Sequence, residues 1–417
     1  MPWSGLRDAW GAALREDPAL PAMLHGTGAR FALDDAVVLA LAEGGATLEE
    51  PGPADAAFHA PPGAWERFLR PLPPRHHHNL FALRMRVPGF RVEGDERAWA
   101  RHARPLRRAL EVARWVRNGG RGAPPARLRP ALGTPAPCPA ARGRYVTVRA
   151  QGRDWVLHGE EAGDGPAILG LHTAGADGRQ FHRLMAEPRL ARHRLVTMDL
   201  PGHGRSPAAA APGEWALTTD LYAELILGFM DAWGFAAPPV LLGASMSGEI
   251  CLEMGLRAPE RFRGIVACEA SAHIAGRRTP WPLDAGVNAM AFTPEWVEGL
   301  MAPQSPAECA EEVWWHYSQG GYGTFPGDIL FYSGGWDARE RIHLLDTSRC
   351  PLVMLTGEYD YSCTAEHSED TARRIPGARF AMMEGLGHFP FAENPARFLD
   401  HLLSALQSFP ETSTQRR

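Results

Sequence analysis

From about residue 143 onward the chain repeats one hydrophobic pattern. A short unbroken apolar run is followed by turn residues, then by a stretch whose apolar positions recur three and four apart. The runs are AILGLH (167–172), RLVTMDL (194–200), PVLLGA (239–244), GIVACEA (264–270), PLVMLTG (351–357) and ARFAMMEG (378–385). Such runs predict strands buried on both faces, and their alternation with helices predicts a mostly parallel sheet. YVTVRAQGRDWVLHGEEAG (145–163) predicts two antiparallel strands ahead of it. The rhythm is interrupted from about 271 to 347, a segment rich in Trp, Tyr and Phe that reads as a cap inserted over one end of the sheet.

Residues 1–117 carry a different pattern. ARFALDDAVVLALAEGGATLEE (29–50) reads as strand, turn, strand, with Asp34-Asp35 and Gly44-Gly45 as turn signals. PPGAWERFLRPL predicts a short helix with Trp65, Phe68 and Leu69 on one face. A longer helical pattern follows, with Asp95 as N-cap and Gly119 as stop, and Pro105 should kink or break it. This is a small α+β module. Its consecutive histidines, His76 to His78, point in different directions along the backbone and read as a solvated loop. Residues 118–142, dense in Pro, Gly, Ala and Arg, read as a linker. The domains are therefore 1–117, 118–142 and 143–417.

Composition narrows the chemistry. The 417 residues are 45% apolar with a net charge of −5, which argues against a nucleic-acid binder. No lysine is present, so Schiff-base chemistry, Ser–Lys dyads and a Walker-type phosphate loop are excluded. Six scattered cysteines without CxxC spacing predict free thiols in a reducing compartment. The N-terminus shows no signal-peptide core, and no apolar run approaches the ~20 residues of a membrane span. A cytoplasmic location without a cofactor or metal is the expectation.

The chemistry centres on GASMSG (243–248), where an apolar strand gives way to a helix. Serine set between small residues at a strand-to-helix turn matches the G-x-S-x-G elbow except at its last place, where Ser247 stands. Ser245 is the candidate nucleophile, since Ser247 would need glycine at 245. A serine needs a histidine to take its proton, and the histidine needs a carboxylate to orient it. Asp360 and His388 follow successive strands in the order Ser, acid, His, with Glu358 and Glu269 as rival acids. Oxyanion donors are expected at the amides of Met246 and Ala174, the latter in the HTAG turn at 172–175.

These motifs resemble the α/β-hydrolase superfamily over about 143–410. LHTAG stands where that family has an HGxxG-type loop, DLPGHGRS (199–206) resembles its D-x-P-G-H-G-x-S loop, and GASMSG, GEYD and GLGHFPFAENP follow in order. Thr173 and Ser247 depart from the usual glycines. The resemblance implies an α/β-hydrolase fold with a mostly parallel sheet and a helical cap, preceded by the α+β domain. In the first segment, DAAFHAPPGAWERFL and FRVEGDERAWARH resemble the sterol-carrier-protein-2-like fold, which implies a lipophilic ligand. The other reading is a module that supports the hydrolase domain or makes a homodimer contact.

The expected activity is hydrolysis of a carboxylic ester, lactone or thioester through an acyl-enzyme on Ser245. The alternatives are carbon–carbon bond hydrolysis of a diketone-like compound and non-catalytic binding of a lipophilic ligand. Elbow chemistry that requires aspartate, as in dehalogenases and epoxide hydrolases, is disfavoured by Ser245. The aromatic cap favours a small lipophilic or aromatic substrate. His172, Thr173, Trp314, Trp315 and His316 are the candidate substrate contacts, with Arg179 and Gln180 as further polar candidates.

Overall fold

The computed structural model describes residues 2–410 except 4, 25, 27, 134–139, 209, 210 and 212. Contacts divide the chain into two units: residues 1–131 with 281–307, and residues 132–280 with 308–417. Residues 281–307, expected within the cap, thus belong with the N-terminal residues. The predicted linker is partly built into that unit: Arg129 pairs with Glu298 at 2.6 Å, and the Ala307 amide donates to Pro130 O. Cys138 and the rest of 134–139 lie outside the described residues.

The first unit holds a five-stranded sheet of β1 (Ala29–Leu33), β2 (Val37–Ala42), β3 (Gly45–Glu49), β4 (Ala56–His59) and β5 (Arg91–Gly94), in the order β3-β2-β1-β4-β5. Both turn signals were therefore used, giving three strands where two were expected from 29–50. Asp34, at φ 49°, makes the first turn. The long helical pattern breaks at His102, between helices Glu96–Arg101 and Ala103–Arg117, which leaves Pro105 in the first turn of the second, where its missing N–H costs nothing. The interior is filled by rings. Trp99 stacks on Phe81 at 4.5 Å and meets Phe58 edge-on at 5.2 Å, while Trp3, Trp10 and Trp65 form a second group. Phe292 and Trp296 complete this core against Phe81, so these rings pack within the first unit. His78, expected in a solvated loop, is buried with Nε2 at 2.7 Å from Gly299 O.

The second unit holds an eight-stranded sheet of β6 (Arg142–Ala150), β7 (Arg153–Ala162), β8 (Ala167–Leu171), β9 (Arg194–Met198), β10 (Val240–Ala244), β11 (Gly264–Cys268), β12 (Leu352–Gly357) and β13 (Arg379–Met383). Their order is β13-β12-β11-β10-β8-β9-β7-β6. All but the β6–β7 and β7–β9 pairs are parallel. Every residue of β10, β11 and β12 is buried, as their unbroken apolar runs require, whereas β6 is largely exposed. The chain runs outward from β8 to β9 and returns on the other side at β10. Sheets with this reversal hold their ligands at the carboxyl ends of the strands flanking it, here β8 and β10. Five cysteines, 251, 268, 309, 350 and 363, are buried and free. No described helix is long and apolar enough to cross a membrane.

Candidate active site

Ser245 sits between β10 and the helix Met246–Arg257 with φ 62° and ψ −125°. That conformation costs a non-glycine residue about 1–3 kcal/mol. The turn persists because its neighbours fix it: the Ser245 amide donates to Cys268 O at 3.0 Å, and the Glu249 amide donates to Ser245 O. The small residues around it are steric requirements. A Cβ on Gly243 would lie 2.5 Å from Ser247 O, and one on Gly248 would lie 2.1 Å from Cys268 O.

Ser247 is spent elsewhere. Its hydroxyl donates to His172 O and lies 2.7 Å from the Tyr222 hydroxyl. The serine at the elbow's last place therefore pins the helix to the turn after β8. A glycine could not do so.

Asp360 and His388 follow β12 and β13 and are both buried. His388 Nδ1 lies 2.6 Å from Asp360 Oδ2, while Asp360 Oδ1 accepts the amides of Ser362 and Cys363 at 2.7 and 3.2 Å. Burial opposes the Asp360 charge, but His388 and these donors outweigh it and hold its pKa below the ordinary carboxylate value. Of the rival acids, Glu358 accepts from the Gly385 amide at 2.9 Å, tying down the turn after β13. Glu269 is fully buried beside Asp360. The His388 loop is held by a residue given no role among the sequence candidates: Glu393 accepts the amides of Gly387 and Phe389 at 2.6 and 3.2 Å.

The turn after β8 is braced from three sides. The Thr173 amide donates to Gln180 Oε1 at 3.0 Å, and Thr173 Oγ1 lies 2.6 Å from the Tyr317 hydroxyl. The Gly175 amide donates to Asp328 Oδ2 at 2.8 Å. Among the described residues, the Ala174 and Met246 amides donate to no other group. His172 uses its ring within the fold, with Nδ1 2.9 Å from Thr173 O and Nε2 accepting the Leu200 amide at 3.1 Å. Arg179 is likewise bound to Asp177. His316 is half-buried, and desolvation lowers its pKa to about 4. Trp314 is half-buried, and Trp315 is 59% exposed.

Asp328 is the second residue that sequence reasoning missed. Wholly buried, it also accepts from Trp215 Nε1 at 2.6 Å and lies 2.8 Å from His203 Nε2. Burial works against both charges of this pair, yet each partner overcomes it, so His203 is shifted up and Asp328 down. Asp199, which opens the DLPGHGRS loop, accepts the Gly178 and Arg205 amides at 2.8 and 3.0 Å.

Glu269, Asp360 and His388 are the group of described side chains whose ligand atoms converge as a cation would need, all within 4.8 Å. Within it His388 Nδ1 and Asp360 Oδ2 share a 2.6 Å hydrogen bond. The cluster is a hydrogen-bonded network.

A strained serine turn, a histidine–carboxylate pair and a braced turn thus lie at the carboxyl ends of neighbouring strands. The sequence profile of the alpha/beta hydrolase family matches residues 156–401. The chain belongs to that family. It is 28% identical over 250 residues to the "Magnesium-chelatase 30 kDa subunit" of Rhodobacter capsulatus, covering 56% of this chain and 84% of the relative. A pimeloyl-[acyl-carrier protein] methyl ester esterase of Aeromonas hydrophila is 25% identical over 253 residues, covering 58% and 95%. The solved structure of a thermophilic esterase from Thermogutta terrifontis superposes with a TM-score of 0.53 at 21% identity, covering 64% of this chain and 98% of that one, which shows shared fold.

Proposed function

We propose that this alpha/beta hydrolase is a serine esterase acting on a carboxylic ester of an apolar or aromatic compound. The reading is carried by one observation: the strained Ser245 turn lies on the same strand edge as the 2.6 Å His388–Asp360 pair. In the proposed reaction His388 Nε2 takes the Ser245 hydroxyl proton as Oγ attacks the ester carbonyl. The amides of Met246 and Ala174 stabilise the oxyanion. Collapse expels the alcohol, which receives the proton from His388 and leaves an acyl-serine. Water, deprotonated by His388, then attacks the acyl carbon; the acid departs and Ser245 regains its proton.

The substrate's apolar character is supported by the rings around these groups. Phe325 packs so closely on Gly175 that a Cβ there would lie 2.8 Å from it. Tyr317 meets Phe389 at 5.5 Å, and Tyr332 meets His388 at 6.1 Å. For the first unit we propose a supporting rather than a lipid-carrying role, because its own rings fill the interior of its sheet module. One of its cavities, of about 400 Å³, has charged walls, including Arg107, Arg114, Arg129 and Glu298.

An organophosphonate probe should label Ser245, and Ser245→Ala should abolish labelling and turnover. Labelling of Ser247 instead would overturn the assignment. A panel of aryl, acyl, lactone and thioesters beside a vinylogous diketone separates ester from carbon–carbon bond cleavage. Uptake of a fluorescent fatty acyl probe by the full chain after Ser245 has been blocked would count against the supporting role of the first unit.

A further inference from the structure

Glu269 follows β11 in a left-handed conformation, φ 52°, with its side chain wholly buried. Because β11 and β12 are adjacent and parallel, their ends bring Glu269 against Asp360. The two buried carboxyls face each other: one ligand atom each of Glu269, Asp360 and His388 falls within 4.8 Å of the others. Two buried carboxylates in contact cannot both stay ionised, so one holds a proton.

The partners decide which. Asp360 faces the His388 ring N–H and two amides, whereas the Glu269 carboxylate meets the single amide of Gly357, 3.1 Å from both its oxygens. The remaining titratable groups facing Glu269 are Glu393, whose charge opposes a second anion, and the buried thiols Cys268 and Cys363.

We propose that Glu269 is a positioning residue that carries the proton and donates its O–H to Asp360, locking the acid that orients His388. The assignment rests on the serine-hydrolase reading above. Burial first, and then the Asp360 charge, push the Glu269 pKa well above the ordinary carboxyl value, in keeping with that assignment. No proton crosses between the carboxyls during turnover: Glu269 keeps its proton, and the pair presents one negative charge to the imidazolium.

Glutamine keeps a neutral donor at this position; leucine keeps only the volume. Glu269→Gln should therefore retain kcat within about threefold and an unchanged pH profile of kcat/KM. Glu269→Leu should lose about 10- to 100-fold in kcat with little change in KM, and its acidic limb should move as Asp360 loses its donor. Infrared spectra at pH 7 give a readout independent of turnover. The wild-type minus Glu269→Gln difference should contain a protonated carboxyl band, with the buried Glu249 cancelling. Absence of that band, a Glu269→Gln loss as large as that of Asp360→Asn, or a fully active Glu269→Leu would each overturn the proposal. Turnover retained by Ser245→Ala would sink the hydrolase reading instead, and would leave the infrared result standing.

Discussion

The two units bury different things. Much of the interior of the first is ring against ring, as where Trp99 is enclosed by Phe58 and Phe81. At the strand ends of the second, the buried atoms are carboxylates, imidazoles, hydroxyls and amides, most of them held by a named partner. Ring burial contributes stability in proportion to the apolar area removed from water. Buried polar groups contribute little net stability but fix geometry, and a missing partner is costly. Substitutions in the first region should therefore be read in unfolding, and those in the second in turnover.

The sharpest separation is expected for Ser245→Ala and Asp360→Asn, which should cut kcat by about 10⁴-fold or more with the midpoint of unfolding nearly unchanged. Kinetics and thermal denaturation on the same samples test this; a collapse of stability in Ser245→Ala would blur the contrast. Trp99→Ala should do the reverse. It should cost about 3–5 kcal/mol in denaturant unfolding of the first unit, with normal kcat on a small ester wherever the fold persists.

Asp328→Asn should fall between, because it weakens the brace on Gly175 without touching the reacting atoms. A loss of roughly 10- to 100-fold in kcat is expected, less than removal of an oxyanion donor would give. The same variant should change the dependence of stability on pH. The raised His203 pKa contributes stability that is full below about 6.5 and lost as pH rises through the folded value. The lowered Asp328 pKa contributes stability present above the ordinary carboxylate range and lost as pH falls through its depressed value. The wild type should therefore weaken on both flanks, and Asp328→Asn should be flatter, as measured by urea midpoints across pH.

The smallest effect is expected at Glu249, which is fully buried and has neither oxygen hydrogen-bonded among the described residues. Burial, and secondarily Asp337, raise its pKa well above the ordinary glutamate value, so the folded state holds a proton that the unfolded state releases. Stability should then decline as pH rises above about 4.5. Glu249→Gln should remove part of that slope and gain midpoint temperature at pH 8 relative to pH 5. An unchanged slope would mean that the carboxyl is ionised in the fold.

Much of this was legible in the sequence for a physical reason. Strands buried on both faces must be apolar throughout, so β8, β10, β11 and β12 announced themselves. A serine at a tight strand-to-helix turn must have small neighbours, so GASMSG did too. The helix break near Pro105 was expected, but its place at His102 depends on the packing of the segments around it. Phe292 and Trp296 fall in a segment that reads as a cap, because composition records an aromatic stretch without recording which core receives it.

The sequence by itself determined the succession of strands in the larger sheet, the turn carrying Ser245, and the chain order of serine, acid and histidine. These follow from local steric limits and hydrophobic period, which a linear pattern carries. The tertiary structure alone decided that Asp360 and not Glu358 meets His388, that Ser247 is a brace, and that Asp328 and Glu393 hold the loops. It also decided that Glu269 lies against Asp360. Each of these depends on atoms far apart in the chain meeting within hydrogen-bond distance, and no local pattern encodes that distance.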